Sequence, residues 1–257
     1  MIRTLVSGAL LFNCAGALAL DAPMVVTQPL PGRPGLTLGV ARVLQAVSWS
    51  DARDLAQASG AQLFTPASTS EVVAVADLAV ELGPWECTGP WLGAKRTPAI
   101  ASLDSGWTDV TGVELQVTHW SVDQPMGSPS LHWKAAIDGR DPGLLSWVNL
   151  LPDPDAGPAV HGYVFTVSSS EPDCDQDGIS DLIEIVVLGA ADLDEDGVPD
   201  RCGTDLDGDG SVGGADLAFL LGRWGACPDV GDCPGDFNGD GMINGYDLSL
   251  LLAHWNI

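Results

Sequence analysis

Two acidic segments near the C-terminus place oxygen-bearing side chains at every second residue. In each segment these occupy positions one, three and five, a glycine follows at position six, and an aspartate stands at position twelve. Ca²⁺ is bound by hard oxygen atoms, and a twelve-residue loop of this pattern wraps them around a single ion. The predicted ligands of the first loop are Asp205, Asp207, Asp209, the carbonyl of Ser211 and Asp216. Those of the second loop are Asp236, Asn238, Asp240, the carbonyl of Met242, Asn244 and Asp247.

The two loops begin a sequence repeat. Residues 205–225 read DLDGDGSVGGADLAFLLGRWG and residues 236–256 read DFNGDGMINGYDLSLLLAHWN, with identical residues at ten of 21 positions. Apolar residues at helical spacing after each loop predict two short helices whose apolar faces pack together. Val212 and Ile243, both at position eight, are expected to pair the loops back to back. The apolar faces are formed by Leu217, Leu220, Leu221 and Trp224, and by Leu248, Leu251, Leu252 and Trp255.

A further acidic stretch precedes the repeat. Its first loop is a third candidate calcium site, with predicted ligands Asp173, Asp175, Asp177, the carbonyl of Ile179, Asp181 and Glu184. A fourth loop starts with Asp192, Asp194, Asp196 and Asp200, but Gly203 stands at its position twelve. The alternative is a solvated acidic linker. Because clustered carboxylates repel one another without an ion, we expect the C-terminal region to be loose without calcium and compact with it.

The charge balance limits the partners of the chain. Its 257 residues include 35 acidic and 10 basic ones, and the formal net charge is −25 at pH 7. A field of this sign repels phosphate backbones and anionic membrane surfaces, so it disfavours nucleic acid and such membranes as partners. The hydrophobic share of 46% is enough for an ordinary core.

The N-terminus has the pattern of a secretory signal. A short positive head at residues 1–3 precedes an apolar run, and Ala17 and Ala19 are the small residues before a cleavage site. Residues 1–19 are therefore predicted to be a signal peptide, and the alternative is a buried N-terminal strand or helix. The signal places the mature protein outside the cell or at the cell surface, without membrane insertion after its removal.

Five cysteines remain after the predicted cleavage. Disulfides persist in exported proteins. Cys227 and Cys233 lie close together between the repeats and are expected to pair, and Cys174 with Cys202 is the next expectation. Cys87 is then left over, either as a buried thiol or as an intermolecular link.

The first two thirds of the chain have a different composition. Residues 20–170 contain 15 acidic and seven basic residues, whereas residues 171–257 contain 20 acidic and two basic ones, so residues 168–172 are interpreted as a linker. Apolar alternation predicts a strand from residue 36. Capping signals at Ser50-Asp51 and at Ser68 to Glu71 predict helices that end at Ala58 and Leu82. Short strands are expected near residues 91–93, 107–109, 115–120, 145–150 and 162–167. This order predicts an α+β fold.

The elements of residues 36–168 resemble a C-type lectin-like domain. Trp49-Ser50-Asp51-Ala52-Arg53 is similar to the first helix of that family, and Trp91-Leu92-Gly93-Ala94 is similar to its WIGL strand. The resemblance implies a cis peptide before Pro125 and a ligand site that includes Gln124 and Asn149. Met126 and Val148 replace oxygen-bearing residues of the family's calcium-dependent sugar motifs, so recognition of a glycan or protein without calcium is favoured there. Phe165 stands where the family usually has a cysteine.

The C-terminal region resembles two families of calcium-loop module. Residues 171–203 are similar to thrombospondin type 3 repeats. In residues 204–257 each loop has only an exiting helix, which resembles the type I dockerin module and implies a small all-α fold. That resemblance implies docking to a cohesin-like or cell-surface protein through loop positions ten and eleven, which in the second repeat are Gly245 and Tyr246.

No residue pattern indicates an active site. The four histidines lack metal-pair spacing, and nucleophile-elbow and phosphate-loop motifs are absent from the sequence. The favoured function is a secreted, non-catalytic binding protein that recognises carbohydrate or protein and is tethered by its calcium-binding module. One alternative is an assembly protein without sugar binding. Another is a dockerin-borne polysaccharide hydrolase using two of the carboxylates Glu86, Asp104, Asp109 and Glu114.

Overall fold

The computed structural model describes most of the chain outside its N-terminal segment. The described residues are 22–83, 85, 88–97, 105–116, 118–121, 123–125, 127, 133–138, 146–150, 159–174, 177–190, 192, 197–207, 211–228 and 233–255. The predicted signal peptide at residues 1–19 and Cys87 lie outside this part, and so do the predicted ligands Asp175, Asp194, Asp196 and Asp209.

A twisted sheet with two helices forms the first part of the molecule. Its strands run in the order β1-β2-β8-β4-β6-β7, with β3 paired to β8 and β5 to β4. Neighbouring strands are antiparallel except β4 and β8, which meet in parallel at Trp91 and Tyr163. The strands are β1 Met24–Pro29, β2 Leu36–Arg42, β3 Gln62–Leu63, β4 Thr88–Arg96, β5 Trp107–Thr108, β6 Trp133–Asp138, β7 Trp147–Leu150 and β8 Gly162–Ser168.

Helices α1, Trp49–Ala58, and α2, Thr69–Leu82, begin at serine caps. Ser48 caps α1, two residues before the predicted position, because its Oγ accepts the N–H of Asp51 while the Asp51 carboxylate accepts the N–H of Ser48. Ser68 caps α2 as predicted. The predicted capping box of α2 is incomplete, because the Glu71 carboxylate accepts the N–H of Ala67 and pairs with Arg33 at 2.7 Å.

The core of this part lies on both faces of the sheet. Apolar residues of α2 pack with Leu92 and Trp107 in one buried cluster, and Ala52 and Ala56 of α1 pack with Trp91 in the other. Neighbouring residues of β4 therefore point into opposite clusters, as the pleat requires. The α+β prediction is confirmed, with the sheet providing the frame for the long connections.

Three strands of the sheet, β1, β3 and β6, lie where the sequence did not predict them. Strand β1 precedes residue 36 and pairs along its whole length with β2, so the sheet extends beyond the predicted domain boundary. Strand β6 joins β4 to β7. The strand predicted at 115–120 does not form among the residues described there, where Trp120 makes only an isolated bridge to Trp147.

The acidic segment after β8 packs against the sheet and α1. It contains helix α3, Asp181–Ile183, continued by a π-helical turn at Glu184–Leu188, and Ile183 and Val187 are buried in the α1-side cluster. Residues 168–172 are thus not a linker to a separate body, because the chain that follows them shares the core of the sheet. A short helix α4, Asp200–Gly203, comes later.

The last part contains the two predicted helices. Helices α5, Gly214–Gly222, and α6, Gly245–Ala253, pack together through Leu220 and Leu251, which have no exposed surface. The all-α prediction is wrong in one respect, because strands β9, Gly225–Ala226, and β10, Met242–Ile243, form an antiparallel pair. Ile243 pairs with Gly225 rather than with Val212, although both apolar side chains are buried in the same cluster.

Both predicted disulfides are present. Cys174 bonds to Cys202 and Cys227 bonds to Cys233, with Cα–Cα distances of 5.9 and 5.7 Å. The first bond joins the two upstream acidic loops, and the second closes the connection between the repeats. No helix in the described part of the chain is long and apolar enough to cross a membrane.

Candidate metal centres

The first loop of the repeat brings three carboxylates together. Asp205, Asp207 and Asp216 each offer an oxygen atom, and these atoms lie within 4.8 Å of one another. They occupy positions one, three and twelve, which join the start of the loop to helix α5. Ser211 also lies in the described part of this loop, whereas Asp209 does not. The grouping is chemically suited to a hard divalent cation.

Asp216 is fixed by the loop backbone. It is 1% exposed, its Oδ1 accepts the N–H groups of Leu206 and Asp207 at 2.8 and 3.1 Å, and its Oδ2 accepts that of Gly213 at 2.7 Å. Burial alone raises the pKa of Asp216, but the backbone hydrogen bonds outweigh it and hold the pKa below its ordinary value. The carboxylate is therefore ionised and oriented at neutral pH.

The second loop repeats this arrangement. Asp247 has no exposed surface, and its two carboxylate oxygens accept the N–H groups of Phe237 and Asn244 at 2.9 and 2.7 Å. At the start of the loop, Asp236 Oδ2 accepts the N–H of Gly241 at 2.8 Å, and Gly241 has a φ of 82°. This positive φ explains the glycine at position six, since side-chain-bearing residues rarely adopt it.

The remaining predicted residues of the second loop are held by local hydrogen bonds. Asp240 accepts the N–H of Met242 at 2.9 Å, and its own N–H donates to Asn238 Oδ1 at 3.1 Å. Asn244 Oδ1 accepts the N–H of Tyr246 at 2.9 Å and so caps α6. Gly245 is the first residue of that helix.

The upstream loop has a similar backbone frame. Asp173 Oδ2 accepts the N–H of Gly178 at 3.0 Å, Asp177 Oδ1 accepts that of Ile179 at 2.8 Å, and Asp181 Oδ1 accepts that of Cys174 at 2.9 Å. Asp181 and Glu184 are 1% and 2% exposed. In the next loop, Asp192 accepts the N–H of Gly197 at 3.2 Å. The side chain of Asp200 is outside the described part.

Two other groups of potential ligands contain cysteines. Cys174 and Cys202 lie beside Asp181, and Cys227 and Cys233 lie beside Asp236. Because both cysteine pairs are disulfides, neither supplies the thiolate that a soft metal requires. The oxygen atoms of the loops are therefore the groups of this region that could hold a metal ion.

Gln124 and Asn149, the ligand residues expected from the lectin-like resemblance, are neighbours. The backbone N–H of Asn149 donates to Gln124 Oε1 at 3.4 Å, and the Gln124–Pro125 peptide is cis, as expected from the resemblance. Asn149 is only 5% exposed, so little of it is accessible to a ligand. Met126 lies outside the described residues.

The tryptophans near this site are mainly core residues. Trp91, Trp107 and Trp147 are each 2% exposed or less, which leaves no free ring face for a sugar to stack on. Trp120 is partly exposed and packs between Trp107 and Trp147, with ring centroids 4.6 and 5.7 Å apart.

A basic and aromatic cluster lies on the α1 side of the sheet. Lys134 Nζ is 4.0 Å from the ring centroid of Trp49, Arg53 also faces that ring, and Lys95 is the cross-strand neighbour of Lys134. Burial, and then repulsion from Lys95 and Arg53, lowers the pKa of Lys134 to about 8. This cluster has no local signal in the sequence, because its members come from three separate elements, α1, β4 and β6.

A cleft of about 580 Å³ lies between β3, β8 and the turn at residues 109–116. Its lining includes Asp109 and Glu114, two carboxylates considered for hydrolysis. Asp109 Oδ1 accepts the N–H groups of Thr111 and Val113 and the hydroxyl of Thr111. Burial raises the pKa of Asp109, but these hydrogen bonds lower it by more, so the pKa lies below its ordinary value. Asp109 is therefore a turn-stabilising carboxylate and is unsuited to act as an acid.

No protein-family model and no curated protein matches the sequence. Human lithostathine is similar in structure, with 15% identity, a TM-score of 0.44, and 55% of this chain and 88% of that chain covered. The carbohydrate-recognition domain of a mouse scavenger receptor C-type lectin has 14% identity and a TM-score of 0.39, with 51% of this chain and 90% of that chain covered. The C-type lectin TC14 from the tunicate Polyandrocarpa misakiensis has 15% identity and a TM-score of 0.36, with 59% of this chain and 99% of that chain covered. These similarities are distant.

Proposed function

We propose that this chain is a secreted, non-catalytic binding protein in which a lectin-like sheet domain recognises a carbohydrate or protein and a calcium-binding, dockerin-like region tethers it. The observation that carries the proposal is the grouping of Asp205, Asp207 and Asp216 in the first loop. Its buried position-twelve carboxylate has a counterpart in the second loop, Asp247, which accepts two of the three equivalent backbone N–H groups.

The donor set favours calcium over softer metals. The predicted ligand groups are carboxylates, backbone carbonyls and the side-chain amides of Asn238 and Asn244. The cysteines of the region are oxidised to disulfides. Hard oxygen ligands in this number suit Ca²⁺. Bound calcium supplies positive charge that cancels the repulsion between the carboxylates and so stabilises the folded loops.

A calcium titration of the full chain tests the metal part of the proposal. Asp216→Asn and Asp247→Asn each keep the side-chain shape but remove one charge and one acceptor from a loop. Isothermal titration should show about one fewer bound ion in each variant. Asp54→Asn is the control, because Asp54 is exposed and pairs only with Arg53 among the described residues. Unchanged stoichiometry in both loop variants contradicts the assignment.

The ligand part rests on the sheet domain. Gln124 and Asn149 are adjacent, but both are neutral and Asn149 is buried, which favours recognition without a metal at this position. A glycan array run in calcium and again in EDTA tests it. Binding in both conditions supports a metal-independent lectin. Binding only in calcium contradicts our reading of residues 124–126, and no binding in either favours a protein ligand.

One observation also favours docking of a protein partner, such as a cohesin-like domain, to the C-terminal helices. Leu221 and Leu252 hold equivalent places in the two repeats and are 50% and 52% exposed, and Tyr246 is 72% exposed. Exposed apolar residues of this size are typical of interaction surfaces. If the helices dock a cohesin domain, Tyr246→Ala together with Leu252→Ala should weaken its capture in calcium at least tenfold. Unchanged capture contradicts the use of this surface.

A further inference from the structure

The acidic loop at residues 173–184 is joined to the sheet through apolar packing. Ile183 and Val187 are 1% and 8% exposed and belong to the same buried cluster as Ala52 and Ala56 of α1. Ile179 and Val186 are partly buried against that cluster. The loop therefore cannot change its conformation without disturbing the α1 face of the sheet.

A hydrogen bond also joins this loop to the edge of the sheet. Thr27 Oγ1, in β1, donates to the carbonyl of Gly178 at 2.7 Å, across 151 residues of sequence. Gly178 is position six of the loop and has a φ of 91°, so its placement depends on the loop turning sharply. Among the described strands, β1 lies at one end of the order and pairs with β2 alone, and an end strand has fewer backbone bonds to hold it.

Two carboxylates of the loop each have a buried oxygen without a hydrogen-bond partner among the described residues. Asp181 is 1% exposed, its Oδ1 accepts the N–H of Cys174 within the loop, and its Oδ2 is buried with no hydrogen-bond partner in the described part of the chain. Asp173 Oδ1, at position one, is likewise buried without a partner. A buried carboxylate oxygen is costly unless it is paired or coordinates a metal ion. In Asp216 and Asp247, by contrast, both oxygens accept backbone N–H groups.

We propose that the loop at residues 173–184 binds Ca²⁺ through Asp173 and Asp181 and that this ion braces the sheet domain, holding edge strand β1 and helix α1 in place. The inference deepens the proposed calcium binding and rests on it. Because the position-six carbonyl contacts Thr27 and the helix after the loop enters the core, ordering the loop stabilises both elements. Calcium in this loop therefore acts on the recognition domain as well as on the tether.

Hydrogen–deuterium exchange of the full, disulfide-intact chain tests the brace. Amide exchange is measured by mass spectrometry in calcium and in EGTA for the wild type, Asp181→Asn and Asp247→Asn. Asp181→Asn keeps the Oδ1 acceptor for Cys174 but removes the charge, and Asp247→Asn is the matched change in a loop whose hydrogen bonds, among the described residues, are internal. Calcium should slow exchange in residues 24–29 at least tenfold in the wild type and in Asp247→Asn, and by less than twofold in Asp181→Asn.

Two results overturn the brace: exchange in β1 that does not respond to calcium in the wild type, or an undiminished response in Asp181→Asn. If Asp181→Asn does not fold, Thr27→Val decides, because it removes only the bond to Gly178. A calcium response in β1 that is at least halved by Thr27→Val supports the brace, and an unchanged response overturns it. Isothermal calcium titration distinguishes this proposal from the proposed function. If the chain binds calcium but exchange in β1 does not respond, the brace is overturned and calcium binding by the C-terminal loops is not.

Discussion

At the residue scale, Tyr163 combines deep burial with an unpaired hydroxyl. It is 1% exposed, its Oη has no hydrogen-bond partner among the described residues, and burial raises the pKa of Tyr163. A buried polar group without a partner reduces stability by about 1–3 kcal/mol. Tyr163→Phe should therefore increase the free energy of unfolding by about 1 kcal/mol, measured by urea denaturation. Tyr246→Phe, at an exposed site, should change it little, and a loss of stability in Tyr163→Phe contradicts the analysis.

Lys134 provides a second residue-scale prediction, on pH. Its pKa is lowered to about 8 by burial and then by its cationic neighbours, so between pH 8 and 10.5 the unfolded chain binds more protons and stability rises with pH. Below pH 8 both states are protonated and the cost is constant. Lys95→Met should raise the pKa of Lys134, observed by NMR of its ε-methylene group. Arg223→Met, beside Phe219 on α5, should leave it unchanged. If Lys95→Met leaves the pKa of Lys134 unchanged, the repulsion between the two lysines is contradicted.

At the element scale, strand β4 passes very close to β3 at Gly93. A Cβ added there would lie 2.8 Å from the carbonyl oxygen of Leu63 and 2.9 Å from Thr65 Oγ1, and the Gly93 N–H donates to Phe64 O at 2.8 Å. Backbone cannot move away as a side chain can, so Gly93→Ala should reduce the free energy of unfolding by about 2 kcal/mol or more. The control is Gly222→Ala in α5, where a Cβ meets nothing within 4 Å. Equal stability of the two variants contradicts the packing.

Helices were easier to predict than strands because their signals are local. Apolar spacing falls within one stretch of chain, as do the serine caps of α1 and α2, so the predicted bounds of α1, α2, α5 and α6 are close to the observed ones. Strand β6, by contrast, includes Ala135 and Ala136, has no alternation, and forms through pairing with β4 and β7. Strand β1 ends at Pro29 and lies at the end of the sheet. Such pairing depends on distant residues, so a local pattern does not show it.

In the upstream acidic segment, too, contacts with distant residues could not be predicted from the local sequence. Its loop spacing predicts a calcium site, with a solvated acidic linker as the alternative. Neither interpretation places Ile183 and Val187 in the core, because their partners lie more than a hundred residues earlier, in α1. The Cys174–Cys202 bond was expected from sequence, whereas the contact of Gly178 with Thr27 was not. The acidic composition of this segment reflects its many solvent-facing residues. It does not indicate that a few apolar residues are buried in the core.

At the scale of the whole molecule, charge is unevenly divided. Of the 35 acidic residues, 20 lie in residues 171–257, which contain only Arg201 and Arg223 as basic residues. The repulsion among them acts through solvent as well as within the loops. It therefore depends on ionic strength, with a screening length near 30 Å at 0.01 M salt and about 10 Å at 0.1 M.

Salt should consequently replace part of the effect of calcium on the C-terminal region. In EGTA, raising NaCl from 10 to 500 mM (screening from ~30 to below ~10 Å) should raise the unfolding temperature of this region, because repulsion between carboxylates falls. In saturating calcium the same change should have a smaller effect, because the ions already cancel that charge. Calorimetry of the full chain measures both, and residues 20–170, with 15 acidic and seven basic residues, provide an internal comparison. An equal salt response with and without calcium would show that the clustered loop carboxylates are not what calcium neutralises.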